Sequence, residues 1–294
     1  MIPVSTGGFI MAKIVLAAES GSDIPVELGR EKGIWIVPMH VAFGDETKDD
    51  GYFRSEEVCD FYEKTGILPK TSGCNPGDFT KVFDEIHAQY PDAQILHLAY
   101  SAATTVSYNS ALIAAEGRDY VTSFDTKSVA AAQYAIVMIM KALLDAHPEW
   151  EMKDALEAAE GLSAKARMCF TTGSLEFLRA GGRVNNAKAI AGKLFAMHPA
   201  IEIKDGKLIA SKMYRGRMKR VVPKLIEEYT LAQHLNKDEI WMINTPYLDP
   251  EIMDIAEEKA SELEFEHVTW VKAGGVITTH SGPGSFGVVG FSED

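Results

Sequence analysis

The sequence predicts an α/β protein of two domains, in which a mainly parallel sheet is followed by a mixed or antiparallel sheet. Short apolar runs alternate with helical patterns through the first half of the chain, which is typical of βαβ units. The second half contains an alternating hairpin pattern around Asp205-Gly206. The length of 294 residues, with 46% hydrophobic and 24% charged residues, suits one large globular domain or two ordinary ones.

The first half of the chain contains strand-like apolar runs at residues 13–18, 34–43, 94–100 and 119–124. Between them, residues 76–90 carry an apolar stripe from Phe79 to Ile86 with the spacing of one helix face. Apolar strands separated by helices indicate a parallel sheet that is covered on both faces. We therefore expect a ligand site beyond the carboxyl ends of these strands.

The second half continues the alternation after the hairpin. It predicts, in order, a hairpin over residues 200–211, a helix over 220–234, a strand over 239–244, a helix opened by Asp249-Pro250 and terminal strands around a glycine-rich segment. We expect a disordered leader at residues 1–11, an N-terminal domain at 12–160 and a C-terminal domain at 161–294. The ligand is expected between the two domains.

Charge and composition exclude several classes of protein. The net charge of −13 argues against nucleic acid and anionic membranes as partners, because both need a basic surface. Cys59, Cys74 and Cys169 lack paired spacing, which favours a reducing cytoplasm and no disulfide framework. The longest apolar stretches are too short to span a bilayer. We expect a cytoplasmic protein without stable membrane insertion, metal or cofactor.

The turn "TSGCNPGDF" at residues 71–79 offers two hydroxyls beside a well-formed helix start. Asn75 is a good N-cap and Pro76 suits the first helical position. Because a helix N-terminus stabilises a nearby anion, Thr71 and Ser72 are candidates for binding an anionic ligand. The alternative is that both hydroxyls only shape the turn.

The segment "YSAATTVSYNSA" at residues 100–111 leaves a strand and enters a helix with several hydroxyls. Ser101 lies where the strand ends, so its side chain is expected to face the cleft. A nucleophilic serine is one interpretation, but no G-x-S-x-G elbow surrounds Ser101. A ligand-binding hydroxyl is the interpretation that we favour.

Basic and glycine-rich segments complete the candidates. Arginines and a lysine gather in "FLRAGGR" and "MYRGRMKR", at Arg179, Arg183, Arg215, Arg217, Lys219 and Arg220. Such a cluster suits a phosphate or an acidic partner, or else a solvated helix face. "THSGPGSFG" places His280 beside Gly282 and Gly284, so it is either a tight turn between strands or the rim of a site.

Together these segments resemble the DegV family of bacterial fatty-acid-binding proteins. "TSGCNPGDF" is similar to the family's T-S-Q-P-S-P-G-E-F, and "SAATTVSYNSA" is similar to its S-S-G-L-S-G-T-Y-x-S-A. "FLRAGGRV" with "HPAIEIKDGKL", and then "THSGPGSFG", resemble its later motifs in the family's order. The resemblance covers nearly the whole chain from Lys13 onward.

The resemblance implies a two-domain α/β fold that holds one long-chain fatty acid between the domains. Hydroxyls at Thr71, Ser72 and Ser101 would bind the carboxylate together with His280, while the acyl chain would lie in an apolar tunnel. Relatives present the fatty acid to a separate kinase, which makes an acyl phosphate. Arg183 and Arg215 match arginines linked to that phosphotransfer or to kinase docking. The carrier itself would not be a stand-alone enzyme.

Some positions depart from the family pattern. Glu19 stands where an aspartate is common, Gly73-Cys74 replaces Gln-Pro, Ala102 replaces a serine and Ser281 replaces a threonine. Two other functions stay open from the residues alone. Ser101 and His280 could form an acyl hydrolase pair with Glu19 or Asp125 as the orienting acid. The same fold could also hold another small anion and act as a sensor.

Overall fold

The computed structural model describes residues 13–184 and 197–293, so the predicted leader at 1–11 lies outside the described residues. The helices are α1 (Val26–Lys32), α2 (Glu56–Thr65), α3 (Pro76–Gln89), α4 (Ser107–Ala115), α5 (Ala130–Ala146), α6 (Met152–Lys165), α7 (Leu175–Gly181), α8 (Met218–Ala232), α9 (Pro250–Glu262) and α10 (Gly275–Ser281). The strands are β1 (Ile14–Glu19), β2 (Ile34–Val37), β3 (His40–Phe43), β4 (Glu46–Asp49), β5 (Lys70–Ser72), β6 (Gln94–Ala99), β7 (Val121–Asp125), β8 (Ala166–Thr171), β9 (Met197–Lys204), β10 (Lys207–Arg215), β11 (Glu239–Asn244), β12 (His267–Lys272) and β13 (Phe286–Phe291).

The N-terminal half contains the predicted parallel sheet. Its strands lie in the order β2-β1-β6-β7, and all neighbouring pairs are parallel. β1 and β6 are almost entirely buried, because helices cover both faces of the sheet. The predicted fold class of this half is confirmed.

The apolar run at 34–43 is not one strand, as the sequence suggested, but two. β2 ends before Pro38, and the chain then turns into β3, which belongs to a separate sheet with the order β4-β3-β5. Proline cannot donate a backbone hydrogen bond to a sheet ladder, so it interrupts the run. The break matters for function because β5 carries Thr71 next to β3.

The start of α3 follows the sequence prediction closely. The Asn75 side chain accepts hydrogen bonds from the backbone N–H groups of Gly77 and Asp78, at 2.7 and 3.3 Å. The Asp78 carboxylate accepts the Asn75 N–H in return, at 2.7 Å. This reciprocal cap fixes the direction in which the chain leaves β5.

The C-terminal half contains a mixed sheet with the strand order β10-β9-β8-β13-β11-β12. β11 and β12 pair in parallel, whereas the other neighbouring strands in this order pair antiparallel. The predicted hairpin at Asp205-Gly206 is the turn between β9 and β10. α8 and α9 pack on one face of this sheet, around Ile240, Met242 and Val288. α5 contacts the other face and also the parallel sheet, so it lies between the two layers. The mixed second sheet predicted from the sequence is confirmed.

One sequence expectation needs correction, at the end of the chain. Val276 and Ile277 lie in α10, so the glycine-rich segment follows a short helix rather than joining two strands. The chain forms a helix here because buried carboxylates accept hydrogen bonds from the first backbone N–H groups of α10. Gly161, near which the domain boundary is expected, lies in α6, and β8 begins directly after this helix.

Within residues 13–184 and 197–293, no helix has both the length and the apolar content of a membrane-spanning segment.

Candidate functional site

An apolar pocket lies where the two large sheets face each other. The pocket, which we call the channel, has about 890 Å³ of empty space, a volume that includes the part open to solvent. The N-terminal half contributes the turns after β5, β6 and β7, and the C-terminal half contributes β8, β11, β13 and α10. The pocket therefore lies beyond the carboxyl ends of the parallel strands, where the topology predicts a ligand site.

Most of the channel wall is aliphatic, aromatic or thioether. The apolar wall is formed by Met39, Tyr100, Val129, Ala130, Met168, Phe170, Leu178, Val184, Leu208, Ile243, Val276, Ile277 and Phe286. These side chains come from both halves of the protein, so neither half forms the channel alone. Such a lining offers hydrophobic contact along its length and suits a ligand with a long apolar part.

One end of the channel carries a hydrogen-bonded pair that joins the two halves. Thr71 Oγ1 lies 2.8 Å from His280 Nε2, although the residues are 209 positions apart in sequence. β5 places Thr71, and the last turn of α10 places His280. Both side chains line the channel, together with the exposed Ser72. The structure thus brings together three of the predicted carboxylate-binding residues.

His280 is neutral at physiological pH. Burial, and to a smaller extent the nearby Arg183 guanidinium, lower its pKa from the ordinary value of 6.5 to about 4. The His280 Nδ1 atom is buried and has no hydrogen-bond partner among the described residues. The Gly181 backbone packs against the ring so closely that a Cβ at Gly181 would lie 2.5 Å from Nδ1. Nε2 is therefore the His280 nitrogen that forms a hydrogen bond in the channel, and its partner is Thr71.

The position of α10 depends on two buried acids that sequence reasoning missed. The Asp50 carboxylate accepts hydrogen bonds from the N–H groups of Gly275 and Val276, at 2.8 and 3.3 Å. Asp23 accepts the Gly274 N–H at 2.7 Å. Burial raises the pKa of both acids, and the neighbouring Asp50 raises that of Asp23 further. Because both acids belong to the N-terminal half, their hydrogen bonds hold α10 and His280 of the C-terminal half against it.

The threonines after β6 line the channel but are already engaged locally. Thr104 Oγ1 donates to the Ser101 carbonyl at 3.0 Å, and Thr105 Oγ1 lies 3.1 Å from Ser107 Oγ. A Cβ at Gly73 would lie only 2.4 Å from Thr105 Oγ1, so the two turns touch. This contact accounts for glycine at position 73, where the sequence departs from the family pattern.

Ser101 has a different place from the one that the sequence suggested. Its side chain is fully buried, and its hydroxyl donates to the Gly206 carbonyl at 2.7 Å. Gly206 is in the turn of the β9–β10 hairpin, which therefore reaches over the carboxyl end of the parallel sheet. Ser101 is not among the residues that line the channel. In this structure Ser101 anchors the hairpin.

The predicted arginines do not lie together. Arg183 lines the channel, and its neighbour Val184 forms a bridge to Leu208 at the start of β10. Arg215 is at the other end of the same strand, which at about 3.3 Å per residue places it roughly 20 Å from that bridge. Of these two arginines, Arg183 is thus the one that lines the channel together with Thr71 and His280.

The glycines of the "THSGPGSFG" segment shape the turn after α10. Gly282 and Gly284 have φ values of 74° and 68°, which disfavour residues with a Cβ. A Cβ at Gly282 would lie 2.8 Å from the Phe177 ring. Neither glycine lines the channel, whereas Ser281 and Ser285 do. The glycines therefore support His280 by closing the turn rather than by touching the pocket.

The acids proposed for a hydrolase are engaged elsewhere. Glu19 is buried against His97, with its Oε2 atom 3.3 Å from Nε2, and it also accepts the Tyr100 N–H. Burial opposes ionisation of Glu19, but His97 and these hydrogen bonds hold its pKa below the ordinary value. Asp125 accepts the N–H groups of Ala102 and Lys127. Neither acid orients His280, and Ser101 faces Gly206 instead of the histidine.

Comparisons with known proteins agree with this architecture. The sequence model of the DegV family, which is described as uncharacterised, matches residues 13–293. A fatty acid-binding protein of Thermotoga maritima is 26% identical over 283 residues, covering 94% of this chain and 96% of the relative.

Two solved structures show the same fold. A DegV family protein of Thermus thermophilus, described by its fatty acid binding, has a TM-score of 0.85 and 26% identity, covering 95% of this chain and 99% of that one. DegV of Bacillus subtilis, described as a fatty acid binding protein, has a TM-score of 0.79 at 22% identity, covering 96% of this chain and all (100%) of its own.

Proposed function

This chain belongs to the DegV family, and from that premise we propose that it binds one long-chain fatty acid and presents the carboxylate to a partner kinase. The observation that carries the proposal is the channel itself, an apolar wall that ends at the Thr71–His280 pair. The fatty acid-binding relatives from Thermotoga maritima and Thermus thermophilus support the choice of ligand.

The acyl chain would supply most of the binding free energy. Each buried methylene contributes about 0.8 kcal/mol, so a long chain binds tightly even where the head group gains little. The acyl chain would lie between Met168, Phe170, Ile243 and the other apolar side chains of the wall. We assign no cofactor to this site.

The carboxylate would lie at the polar end of the channel. A buried carboxylate needs several hydrogen-bond donors, because an unpaired charge is costly to bury. The Thr71 hydroxyl, the Ser72 hydroxyl and a neutral His280 are placed there, and Arg183 adds a positive charge at the same end. The hydroxyl and imidazole groups, with the Arg183 charge nearby, would together offset the cost of burying the carboxylate.

We assign the chain the role of a carrier rather than a stand-alone enzyme. A hydrolase would need a serine activated by His280, but Ser101 donates to Gly206 and His280 is bonded to Thr71. A sensor of a small polar anion would not need the long apolar wall. Formation of an acyl phosphate would then require the partner kinase, which supplies the phosphoryl group.

Mass spectrometry of the gently purified protein tests the ligand. We expect the intact chain to carry the mass of one fatty acid, and organic extraction to release it. A protein that is purified empty and also fails to take up added palmitate would leave the family assignment in place but overturn fatty acid binding.

A further inference from the structure

Two buried acids from separate turns of the N-terminal half meet at the start of α10. Asp23 follows β1 and Asp50 follows β4, and these residues are only 5% and 1% exposed. A Cβ at Gly274 would lie 3.3 Å from the Oδ1 atom of each acid, so both carboxyl groups converge on one backbone position. Two negative charges in a buried site repel each other strongly, so ionisation of both acids is costly in free energy. We call these two residues the Asp23–Asp50 pair.

The hydrogen bonds of Asp50 identify it as the ionised member of the pair. Its Oδ1 atom accepts the N–H groups of Gly275 and Val276, at 2.8 and 3.3 Å. Its Oδ2 atom accepts the Ser20 hydroxyl at 2.9 Å, while the Ser20 oxygen accepts the Met39 N–H at 3.0 Å. Each of these contacts brings a hydrogen-bond donor to Asp50, and several donors stabilise the charged form of a carboxylate.

The surroundings of Asp23 have the opposite character. Its Oδ1 atom accepts the Gly274 N–H at 2.7 Å, but its Oδ2 atom is buried and has no hydrogen-bond partner among the described residues. A charged carboxylate oxygen in that position is far more costly to bury than a neutral carboxyl group. Burial, and to a smaller extent the Asp50 charge, raise the pKa of Asp23 well above its ordinary value of 3.8, although the Gly274 N–H opposes this shift. Geometry and charge therefore both favour a proton at Oδ2.

The other ionisable groups around the pair leave its charge uncompensated. Tyr100 at the end of β6 is neutral, because burial and the neighbouring acids, Glu19 among them, raise its pKa. Arg183, which follows α7, lowers the pKa of Tyr100 and of His280 on α10. Among the described residues, no cation contributes to the pKa shift of Asp23. The proton itself is therefore what relieves the repulsion within the pair.

We propose that the Asp23–Asp50 pair holds a single proton, on Asp23 Oδ2, and that loss of this proton releases the start of α10. The proton is exchanged with solvent. Once charged, the Asp23 side chain gains hydration by turning towards water, and Gly274 then loses its hydrogen-bond acceptor. The last turn of α10 carries His280, so the Thr71–His280 contact at the polar end of the channel weakens as well. The effect on a fatty acid rests on the proposed function, whereas the proton does not.

The direction of the pH effect follows from the raised pKa of Asp23. The contribution of this residue to stability is fully present below pH 3.8 and is lost as the pH rises through the raised pKa. This is opposite to His280, which has a pKa of about 4 and is mainly neutral from about pH 5 upward. Above the raised pKa, coupling to one proton weakens ligand binding by up to about ten-fold per pH unit.

Carboxyl NMR of the chain with isotope-labelled aspartate tests the proton directly. Asp23→Asn is the test variant, because asparagine tolerates the φ of 61° at this position. Asp92→Asn is the control, since Asp92 is exposed and lies before β6, at the opposite end of that strand from Tyr100. We expect one aspartate to titrate well above pH 3.8 in the wild type and the control. That titration should be lost in Asp23→Asn.

Two results of the titration overturn the inference. One is a wild type in which every aspartate titrates near the ordinary value, and the other is a highest titration that survives in Asp23→Asn. If Asp23→Asn does not fold, Asp50→Asn replaces it. Removal of the neighbouring charge should then move the highest titration to lower pH, and an unchanged titration overturns the inference equally.

The effect on the ligand is measured as palmitate affinity from about pH 5 upward. Affinity should decrease with rising pH in the wild type and in Asp92→Asn, but this decrease should be absent in Asp23→Asn. The same decrease in all three proteins overturns the coupling of the proton to α10.

Hydrogen exchange separates this inference from the proposed function. A wild type that does not bind palmitate overturns fatty acid binding, but the aspartate titration still tests the proton. Release of α10 is then measured at the backbone amides of residues 274–281, which should exchange faster in the wild type than in Asp23→Asn at the same alkaline pH. Equal rates in the two proteins at every pH overturn the release of α10.

Discussion

Thr71 and His280 are 209 residues apart, so only the completed fold brings the hydroxyl to the imidazole. Each residue depends on neighbours that hold it there. β3 pairs with the strand of Thr71, while Asp23 and Asp50 hold the start of the helix that carries His280. The head of the site is therefore an arrangement between two halves of the protein, and its strength depends on how well those halves are docked.

Replacing Thr71 by valine tests the head of the site. The substitution keeps the shape of the side chain but removes the hydroxyl that lies 2.8 Å from His280 Nε2. We expect palmitate binding to weaken by roughly 1–3 kcal/mol, the cost of leaving a buried polar partner unpaired. Calorimetric titration of Thr71→Val against Thr80→Val, a threonine of α3 that does not line the channel, gives the measurement. Equal affinity in both variants would remove Thr71 from the carboxylate site.

His280 makes stability depend on pH in a defined direction. Its pKa is lowered from 6.5 to about 4, chiefly by burial, so between these values the unfolded chain binds a proton that the folded chain does not. The contribution of His280 to the free energy of unfolding of the unliganded protein should therefore be at its full value above pH 6.5. It should decrease as the pH falls toward 4. Urea unfolding at several pH values, compared with His280→Gln, isolates this contribution. Parallel curves for the two proteins would contradict the neutral, buried state of His280.

The separation of the two arginines gives opposite expectations for their loss. Arg183 lines the channel and its charge lowers the pKa of His280, whereas Arg215 is at the far end of β10. We expect Arg183→Ala to weaken palmitate binding several-fold, because a positive charge near the carboxylate is lost. Arg215→Ala should leave palmitate affinity unchanged, and fluorescence displacement measures both. If Arg215→Ala weakened binding as much as Arg183→Ala, the placement of the carboxylate near Arg183 would be wrong.

Local signals in the sequence were sufficient for most helices and strands. The cap at Asn75 and the turn at Asp205-Gly206 depend only on neighbouring residues, and both are present in the structure. α10 is different, because the acids that accept its first N–H groups come from positions more than 220 residues earlier. No spacing in the sequence indicates that partnership. The same limit explains why the sequence groups Ser101 with Thr71, Ser72 and His280 as carboxylate-binding residues, although its hydroxyl faces the Gly206 carbonyl in the structure.

The β9–β10 hairpin and the parallel sheet are joined through Ser101. Its hydroxyl donates to the Gly206 carbonyl, and both residues are buried. Ser101→Ala should free the turn, so we expect faster hydrogen exchange of backbone amides around residues 204–208, with palmitate affinity reduced far less than in Thr71→Val. Ser72→Ala is the control, because Ser72 lines the channel without touching the hairpin turn. Unchanged exchange combined with a large loss of affinity would return Ser101 to the carboxylate site.

The protein as a whole has a core that crosses the junction between its sheets. Leu16 of β1 and Val289 of β13 belong to one continuous cluster of buried side chains, and α5 contacts both sheets. The channel lies at this junction and takes its wall from both sides. A ligand in the channel therefore adds contacts to the part of the core that holds the two halves together.

This arrangement predicts how the fatty acid changes unfolding. Because the core is continuous, the extracted protein should unfold in a single transition, and added palmitate should move that transition to higher temperature without dividing it. A ligand that binds only the folded state stabilises it by about 2.7 kcal/mol when its free concentration is 100 times Kd. Scanning calorimetry of the extracted protein across a palmitate series, with butyrate as a head-group control that has too short a chain to fill the channel, measures the effect. Two separate transitions, or an equal shift from butyrate, would show that the junction is not what the ligand stabilises.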